Sequence, residues 1–471
     1  MNQTARTFVF IGLVVIILLS FHLLPEIAIG ETELRHVNVL SDIMPEVYQQ
    51  RDGIDVIPRV PEPPQPVLTK KTTTAKSLKT DTEDRTKPAQ VETMNQVAGM
   101  PAILDYSEGS AGGMNHFYNR LGNAAVGAPV RIAYYGDSFI EGDILTADLR
   151  EMLQSKFGGS GVGWVDCADH LSGFRQTVKL KGVGFTAYEV VKSPYSHQAE
   201  GISQRYFVPQ ENARMWASGT RVRKHIGQWQ RTSLFLRTAN GLNVTTYADH
   251  DTIGMDYVKG SDHVQMLCYE GRSMTGAGYM LTEVTEPTYL YGMALESQHG
   301  VILDNFSMRG SSGHTLAKIP QQTLADFARL RPYDLIVLHF GLNVANEKSH
   351  AGAYKAYIKR MQVAVEHLKR AYPQASVLIV SMPDRDQRTD VGIRTMLGVE
   401  SLVAYQQIMA SNCHVAYFNL FQAMGGRESM KGLVDNGLAA KDYTHLTFSG
   451  GRKLAKLIFE AIVDGYEEYQ H

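Results

Sequence analysis

The second half of the chain alternates apolar segments with longer amphipathic ones, and this alternation restricts the fold more than any other feature. The apolar segments are nearly continuous runs of Val, Ile and Leu, which is typical of strands buried on both faces of a sheet. The amphipathic segments have the periodicity of helices. The pattern predicts strands at residues 335–340, 376–382 and 415–420 and helices at residues 351–372, 397–412 and 450–466. We therefore expect a three-layer α/β fold, with a parallel sheet covered by helices on both faces.

The same pattern occurs once earlier in the chain. Residues 130–135 are typical of a buried strand, residues 145–157 have helical periodicity, and Gly136, Asp137 and Ser138 form a tight turn between them. A serine in this turn lies at the carboxyl end of its strand, where open α/β sheets place their active sites. Such a turn also directs backbone N–H groups beside the hydroxyl, as an oxyanion hole requires. Taken alone, the triplet more often marks an ordinary turn that caps a helix.

Between these two stretches the pattern changes to short alternating runs rich in Thr, Tyr, Val and Gly, such as residues 232–237. The stretch contains no segment with convincing helical length. This composition is typical of antiparallel strands, so we predict a β-sandwich at residues 179–290 inserted into the α/β domain. The α/β domain then consists of two parts, residues 97–178 and residues 291–471.

The N-terminus is predicted to anchor the chain in a membrane. Residues 7–25 are uncharged and mostly apolar, and at about 1.5 Å per residue they are long enough to cross a bilayer core of about 30 Å. Arg6 precedes this run and acidic residues follow it, so the positive-inside rule places the N-terminus in the cytoplasm. We predict a transmembrane helix within residues 1–30. The small residues Ala28 and Gly30 leave a cleaved signal peptide as the alternative.

Residues 31–96 are predicted to be a flexible tether. Their central part is rich in Pro, Thr, Lys, Asp and Glu, and it cannot bury enough apolar surface to offset the entropy lost on folding. Such a segment allows a folded domain to reach some distance from the membrane. Under either interpretation of the N-terminus, the bulk of the protein leaves the cytoplasm.

The composition argues against several classes of protein. Lys and Arg together number 46 and Asp and Glu 48, which gives a net charge of −2. The chain lacks the basic balance typical of nucleic-acid binding, so we predict no nucleic-acid partner. The three cysteines, Cys167, Cys268 and Cys413, are far apart and form no CxxC pair. We therefore predict neither a Cys-based zinc site nor a disulfide framework, and we interpret all three as buried apolar residues.

Asp442 precedes His445 by three residues, just before the last predicted helix. At this spacing the carboxylate can hold the imidazole by a hydrogen bond and stabilise its charged form, as the acid of a Ser–His–Asp set does. By itself, the pair is more typical of a solvated loop with a capping acid.

Two further segments offer hydrogen-bond donors to an oxyanion. Asn343 directly follows a predicted strand, so its amide lies at the carboxyl end of the sheet. Residues 305–313 are interpreted as a glycine-bearing turn before a helix at Thr315, and the backbone N–H groups of this turn are a second source of donors. Each segment, taken alone, also fits an ordinary turn or loop.

Together these four signals occur in the order Ser, Gly, Asn, then Asp and His. This order and context resemble the SGNH (GDSL-type) hydrolases, whose four sequence blocks carry those residues. The resemblance covers residues 130–157 and residues 301–471. It implies a flavodoxin-like parallel sheet, with Ser138 as nucleophile and oxyanion donor, His445 as base and Asp442 as the acid that orients it.

The same resemblance implies two more oxyanion donors, the backbone N–H of Gly313 and the side chain of Asn343. Gly310 fits the glycine of the second block almost as well as Gly313 does, and it remains the alternative. The resemblance implies no metal and no organic cofactor.

A narrower resemblance rests on residues 157–164, of sequence FGGSGVGW, and on the large β insert that follows them. Both features are similar to those of the peptidoglycan O-acetylesterases and their periplasmic O-acetyltransferase relatives, whose insert is similar to a carbohydrate-binding module. The resemblance implies a serine esterase that removes O-acetyl groups from a cell-wall or other polysaccharide. Trp216 and Trp229 are candidates for stacking on sugar rings, although aromatic residues of a β-sandwich more often form its core.

With the predicted anchor, this resemblance implies a single-pass protein of the bacterial inner membrane whose catalytic domain lies in the periplasm, or a secreted protein if the anchor is cleaved. One alternative function is an O-acetyltransferase that receives its acetyl group from an integral-membrane acyltransferase. A second is a glycan-binding scaffold without catalysis, which would not need Ser138, Asn343, Asp442 and His445 in combination.

Overall fold

Two compact units make up the chain, Met1–Arg59 and Val60–His471. A computed structural model of the protein describes residues 100–168, 174–346 and 351–471, together with two short strands, β1 (Ala28–Ile29) and β2 (Thr32–Glu33). In the first unit β1 pairs with β2 in antiparallel register.

The anchor predicted at residues 1–30 and the tether predicted at residues 31–96 otherwise lie outside the described residues. Among the helices that the structure does describe, none combines the length and the apolar character needed to cross a membrane.

The second unit contains both helices and strands. Its helices are α1 (Asn115–Gly122), α2 (Thr146–Phe157), α3 (Gln321–Leu330), α4 (Ala351–Ala371), α5 (Val399–Asn412), α6 (Leu420–Ala423), α7 (Ser429–Asp435) and α8 (Phe448–Gln470). Its strands are β3 (Leu104–Asp105), β4 (Val130–Gly136), β5 (Gly163–Val165), β6 (Val178–Glu189), β7 (Arg205–Gly219), β8 (Trp229–Thr238), β9 (Leu242–Ala248), β10 (Asp251–Val258), β11 (Gln265–Met274), β12 (Gly276–Thr282), β13 (Thr288–Glu296), β14 (Val301–Ser307), β15 (Leu335–His339), β16 (Ser376–Val380), β17 (Asp386–Thr389), β18 (Gly392–Thr395) and β19 (Ala416–Phe418). Short 3-10 turns lie at Ser138–Asp143, His197–Ala199 and His314–Lys318.

A six-stranded sheet forms the centre of the α/β part, in the order β14-β4-β15-β16-β19-β3. All neighbours are parallel except β3, which pairs antiparallel with β19. Numbered along the chain, the five parallel strands have the order 2-1-3-4-5, that of flavodoxin-like sheets. The predicted parallel sheet is therefore confirmed, and its topological switch point lies between β4 and β15, where such folds place their sites.

The helices fall into two groups that pack among themselves. One contains α1, α2 and α8, and the other contains α3, α4 and α5. The predicted helices at residues 351–372 and 397–412 correspond to α4 and α5, and the last helix, α8, is longer than the predicted 450–466.

One predicted turn proved to be partly a strand. Residues 305–307 form the end of β14, because Val301–Ser307 pairs residue for residue with β4. The helix predicted at Thr315 is only the 3-10 turn His314–Lys318. Pro320 follows it, and a proline disfavours helical backbone in the preceding residue; Ile319 is accordingly extended, with ψ of 127°. The helix proper, α3, begins after the proline.

The inserted region forms a nine-stranded antiparallel sheet. Its longest strand, β7, pairs with β6 along most of its length, with β12 near its end and with β13 at Phe207. Many buried side chains of this sheet form an apolar cluster of their own, whereas others, among them Trp164, Phe235 and Tyr291, belong to the core of the α/β part. The sheet also includes β5, which pairs with β13, and it extends to Glu296. It therefore spans more of the chain than the predicted residues 179–290.

The chain leaves the α/β part and returns to it at neighbouring points. The backbone N–H of Val301 donates to the carbonyl of Gly158 at 2.9 Å. Gly159 has a φ of 112°, and a Cβ there would lie 2.6 Å from the Val301 carbonyl oxygen, so only glycine fits this close crossing. We call the contact between Gly158 and Val301 the crossing point.

A buried ion network joins the two sheets. Arg331 donates to Asp304 in the middle of β14, a strand of the α/β sheet (2.7 Å), and to Glu296 at the end of β13 (2.8 Å). Arg131 of β4 donates to the same Glu296 at 2.7 Å, and the N–H of Trp164 in β5 donates to Asp304 at 2.8 Å. Although burial opposes ionisation, the two guanidinium groups hold the pKa of Glu296 well below its usual range.

Candidate active site

Ser138 begins the 3-10 turn that follows β4. The side chain of Asp137 accepts a hydrogen bond from the backbone N–H of Phe139 at 3.0 Å, which fixes the chain direction just after the serine. Because β4 is a central strand of the parallel sheet, the turn places the Ser138 hydroxyl at the carboxyl edge beside the switch point.

Asp442 and His445 lie in the short loop before α8. The His445 Nδ1 and the Asp442 Oδ2 are 2.7 Å apart, and the other carboxylate oxygen accepts the backbone N–H groups of Thr444 and His445, both at 3.0 Å. Burial raises the pKa of Asp442, but these hydrogen bonds outweigh it and the net pKa is lowered. The carboxylate is therefore ionised and fixed against the imidazole at neutral pH.

The structure brings this loop to the serine. The Oγ of Ser138 lies 3.1 Å from the Nε2 of His445, within the distance at which an imidazole accepts a hydroxyl proton. Ser138, His445 and Asp442 thus form a continuous chain of hydrogen bonds, although 307 residues separate the first two in sequence. The imidazole is exposed over 40% of its side chain, so a ligand can reach it from solvent.

Asp137 is the buried neighbour of the candidate nucleophile. Burial raises its pKa to about 6, and the Phe139 N–H and the charge of His445 only partly oppose this. The raised pKa means that Asp137 is partly protonated in mildly acidic solution.

The two other predicted oxyanion donors lie in neighbouring loops. The Asn343 Nδ2 donates to the carbonyl of Ser311 at 2.9 Å, and the Gly313 N–H donates to the Ser311 hydroxyl at 3.1 Å. The hydroxyl of Tyr357 holds the same loop through the Ser312 carbonyl at 3.0 Å. The structure thus joins the loops of Asn343 and Gly313 through Ser311, and each donor group has a protein acceptor.

Gly313 and Gly310 differ in their surroundings. Both have left-handed φ angles, of 85° and 80°. A Cβ at residue 313 would lie 2.7 Å from the ring of Phe340, whereas nothing lies within 4 Å of a Cβ at residue 310. Packing therefore requires glycine at residue 313 and not at residue 310.

Two charged groups beside the site were missed in the sequence. Arg309, in the turn after β14, pairs with the buried carboxylate of Glu141, three residues after Ser138. Arg385, in the segment after β16, donates to the carbonyls of Leu342 and Ala345, both at 3.0 Å. Arg309 lies within residues 305–313, so its position beside a motif is a signal that could have indicated it, whereas no sequence pattern indicates Arg385.

The two tryptophans proposed for sugar stacking lie in different surroundings. Trp229 is fully buried in the core of the antiparallel sheet. Trp216 is half-buried, and its ring is stacked on His250 with centroids 4.7 Å apart. Trp229 is therefore a core residue, as the alternative interpretation held.

The remaining polar groups show no metal site. Within residues 100–168, 174–346 and 351–471, no three His, Cys, Asp or Glu side chains are grouped as metal ligands would be. The three cysteines are free thiols: Cys167 and Cys413 are buried, and Cys268 is half-buried.

Comparison with known proteins identifies a similar fold through structure alone. No family model matches the chain, and no curated protein is significantly similar in sequence. A solved peptidoglycan O-acetylesterase superposes on 78% of this chain and 99% of its own, with a TM-score of 0.64 and 21% sequence identity. The chain has the fold of a peptidoglycan O-acetylesterase. The resemblance predicted from the four motifs is thereby confirmed at the level of the fold.

Two more distant structural matches have much lower scores. A salicylyl-acyltransferase from a tetracycline biosynthetic pathway covers 60% of this chain and 97% of its own, with a TM-score of 0.27 and 11% identity. A family two carbohydrate esterase from Clostridium thermocellum covers 56% of this chain and 95% of its own, with a TM-score of 0.25 and 9% identity.

Proposed function

We propose that this protein is an extracytoplasmic serine esterase that removes O-acetyl groups from a cell-wall or other polysaccharide. The observation that carries the proposal is the hydrogen-bonded series Ser138–His445–Asp442 at the carboxyl edge of the sheet. The likeness to a peptidoglycan O-acetylesterase supports an acetylated glycan as substrate. The apolar residues 7–25 support a periplasm-facing protein attached to the inner membrane, with secretion after cleavage as the alternative.

The reaction begins with transfer of the Ser138 hydroxyl proton to His445 Nε2. The serine oxygen attacks the acetyl carbonyl, and Asp442 stabilises the imidazolium that forms. N–H groups of Ser138, Gly313 and Asn343 hold the oxyanion. The Asn343 amide has two N–H donors, so it can bind the oxyanion while it keeps its bond to the Ser311 carbonyl, whereas the Gly313 N–H must leave the Ser311 hydroxyl. His445 then protonates the departing sugar oxygen, and an acetyl–Ser138 ester remains. Water attacks this ester with His445 as base, which releases acetate and restores the serine.

A membrane-tethered O-acetyltransferase is the second candidate, because an anchor would keep the site near an integral-membrane acyl donor. The same acetyl–serine would form, but a sugar hydroxyl would attack it in place of water. A glycan-binding scaffold is the third candidate, in which the same residues carry out no chemistry.

The deciding experiment uses the full chain in detergent with an O-acetylated cell-wall glycan, and separately with an activated acetyl ester plus sugar acceptors. Free acetate and acetylated sugar are both measured. We expect acetate release, lowered at least about a thousandfold in Ser138→Ala. Ser273→Ala, an exposed serine of the antiparallel sheet, is the matched control and retains full activity.

The other outcomes assign the other candidates. Acetylated acceptor with little free acetate identifies a transferase. Neither product, with glycan still bound, identifies the scaffold. Full esterase activity in Ser138→Ala rules out this serine as the nucleophile.

A further inference from the structure

The segment Asp384, Arg385 and Asp386 follows β16 and contacts both loops that carry the candidate site. The Arg385 Nη1 donates to the carbonyls of Leu342 and Ala345 at 3.0 Å each, on either side of Asn343. We call these three residues the bridging segment.

The same segment contacts the loop of the acid and the base. The backbone N–H of Asp386 donates to the carbonyl of Tyr443 at 3.2 Å, between Asp442 and His445. Tyr443 has a φ of 54°, which is uncommon for a bulky residue and persists only where the surroundings enforce it. The bond from Asp386 is one of the contacts that enforce it.

The bridging segment is itself fixed from behind. The carboxylate of Asp384 accepts the N–H of Met430 at 3.0 Å and the hydroxyl of Thr395 at 2.9 Å. The carboxylate of Asp386 accepts the N–H of Lys431 at 2.6 Å. These partners lie at the start of α7 and in β18, outside the candidate site, so the segment is held independently of the loops it contacts.

We propose that Arg385 is a positioning residue that fixes Asn343 relative to Asp442 and His445, a role that rests on the proposed esterase function. The loop of Asn343 follows β15 and the loop of His445 precedes α8, and the bridging segment hydrogen-bonds to both. Arg385 thereby fixes the position of the Asn343 side-chain amide relative to the substrate oxygen on which negative charge develops. The guanidinium suits this role because its planar donors can serve two carbonyls at once.

A double-mutant cycle tests the proposal with an activated acetyl ester. Arg385→Ala should lower kcat about tenfold or more and change KM less than about twofold, because the loss falls on the transition state. Asn343→Ala should lower kcat about a hundredfold. In the Asn343→Ala background, removal of Arg385 should change kcat less than about twofold. Arg385→Lys should restore part of the loss.

Lys369→Ala is the matched control. Lys369 also donates to a backbone carbonyl, that of Cys413 at 2.8 Å, but before β19 and therefore at the opposite edge of the sheet. The Lys369→Ala variant should therefore have the kcat of the wild type. Equal losses from Arg385→Ala in the wild-type and Asn343→Ala backgrounds, or a loss that appears in KM alone, would overturn the proposal.

Hydrogen–deuterium exchange separates this proposal from the proposed function, because it requires no turnover. The N–H groups of Val344 and Ala345 bond to the Gly341 carbonyl, and in Arg385→Ala they should exchange about tenfold faster. The N–H groups of Met430 and Lys431 should be unchanged. Unchanged exchange at Val344 and Ala345 would refute the role of Arg385, whether or not the wild type proves to be an esterase.

Discussion

At the scale of single residues, Gly313 combines a steric requirement for glycine with a candidate role in binding the oxyanion. Its N–H is a candidate oxyanion donor, its φ of 85° is left-handed, and the Phe340 ring leaves no room for a Cβ. Gly310 has nearly the same backbone angle but open surroundings. Substitution of Gly310 by alanine therefore tests backbone strain alone, whereas substitution of Gly313 adds a steric clash with Phe340.

We expect Gly313→Ala to lower kcat/KM for an acetyl ester about a hundredfold, because the loop must shift away from Phe340 and carries the donor with it. Gly310→Ala bears only the backbone strain of about 1 kcal/mol, so its activity should fall less than about threefold. Steady-state kinetics of the two variants provide the measurement. A larger loss in Gly310→Ala than in Gly313→Ala would place the functional glycine at residue 310.

The residues of the candidate site differ in how far the sequence indicated them. Asp442 and His445 are close in sequence, so their pairing follows from local geometry alone. Ser138 and Asn343 were indicated because both follow buried strands. Arg385 was not, because a cation that serves two backbone carbonyls leaves no pattern in a single sequence.

At the scale of elements, the start of α7 depends on two carboxyl groups. Burial raises the pKa of Asp384 to about 6, and the neighbouring charge of Asp386 adds to the effect, so its neutral form is favoured in the folded state. A raised acid pKa means that the folded state loses stability as pH rises from the unfolded value of about 4 through about 6.

Asp384→Asn mimics the neutral carboxyl at every pH. The free energy of unfolding of this variant minus that of the wild type should therefore increase by about 1–2 kcal/mol between about pH 5 and about pH 7.5. Urea unfolding of both proteins at the two pH values provides the measurement. Asp435→Asn, at the exposed end of α7, is the control and should show no such change. A difference that shrinks with rising pH would contradict the assigned pKa direction.

Elements with strong periodicity were predicted well, and those decided by distant contacts were not. The strand at residues 335–340 and the long helix α4 are apparent from their local pattern. The end of β14 falls within residues 305–313, for which the glycines predict a turn. Its pairing with β4 overrides that preference.

At the scale of the whole molecule, Arg331 connects the two sheets. Its guanidinium is fully buried and serves the carboxylates of Glu296 and Asp304. Arg331→Met should lower the free energy of unfolding by about 3–5 kcal/mol, because both buried carboxylates lose a partner. Lys456→Ala, which removes an exposed ion pair with Glu460, should cost less than about 1 kcal/mol.

Chemical denaturation followed by tryptophan fluorescence and by circular dichroism measures both effects. Because the network ties the sheets together, we expect coincident transitions by the two probes. A separate early transition of the antiparallel sheet in the wild type would show that the network does not couple them.

The inserted sheet itself was indicated by composition, but its extent was not. Residues of β5 were assigned to the first part of the α/β domain, and only their pairing with β13 places them in the antiparallel sheet. A three-residue strand has too little periodicity to be recognised from sequence.

The crossing point between Gly158 and Val301 bears on how such a protein is assembled over evolutionary time. Gly158 and Val301 are joined by a hydrogen bond, so the polypeptide between them is an insertion whose two ends lie side by side. The entropic cost of closing such an inserted segment grows only slowly with its length. Insertions of different size can therefore be accommodated at this one position of the α/β fold. Such changes leave the segments that carry Ser138, Asn343, Asp442 and His445 unaltered.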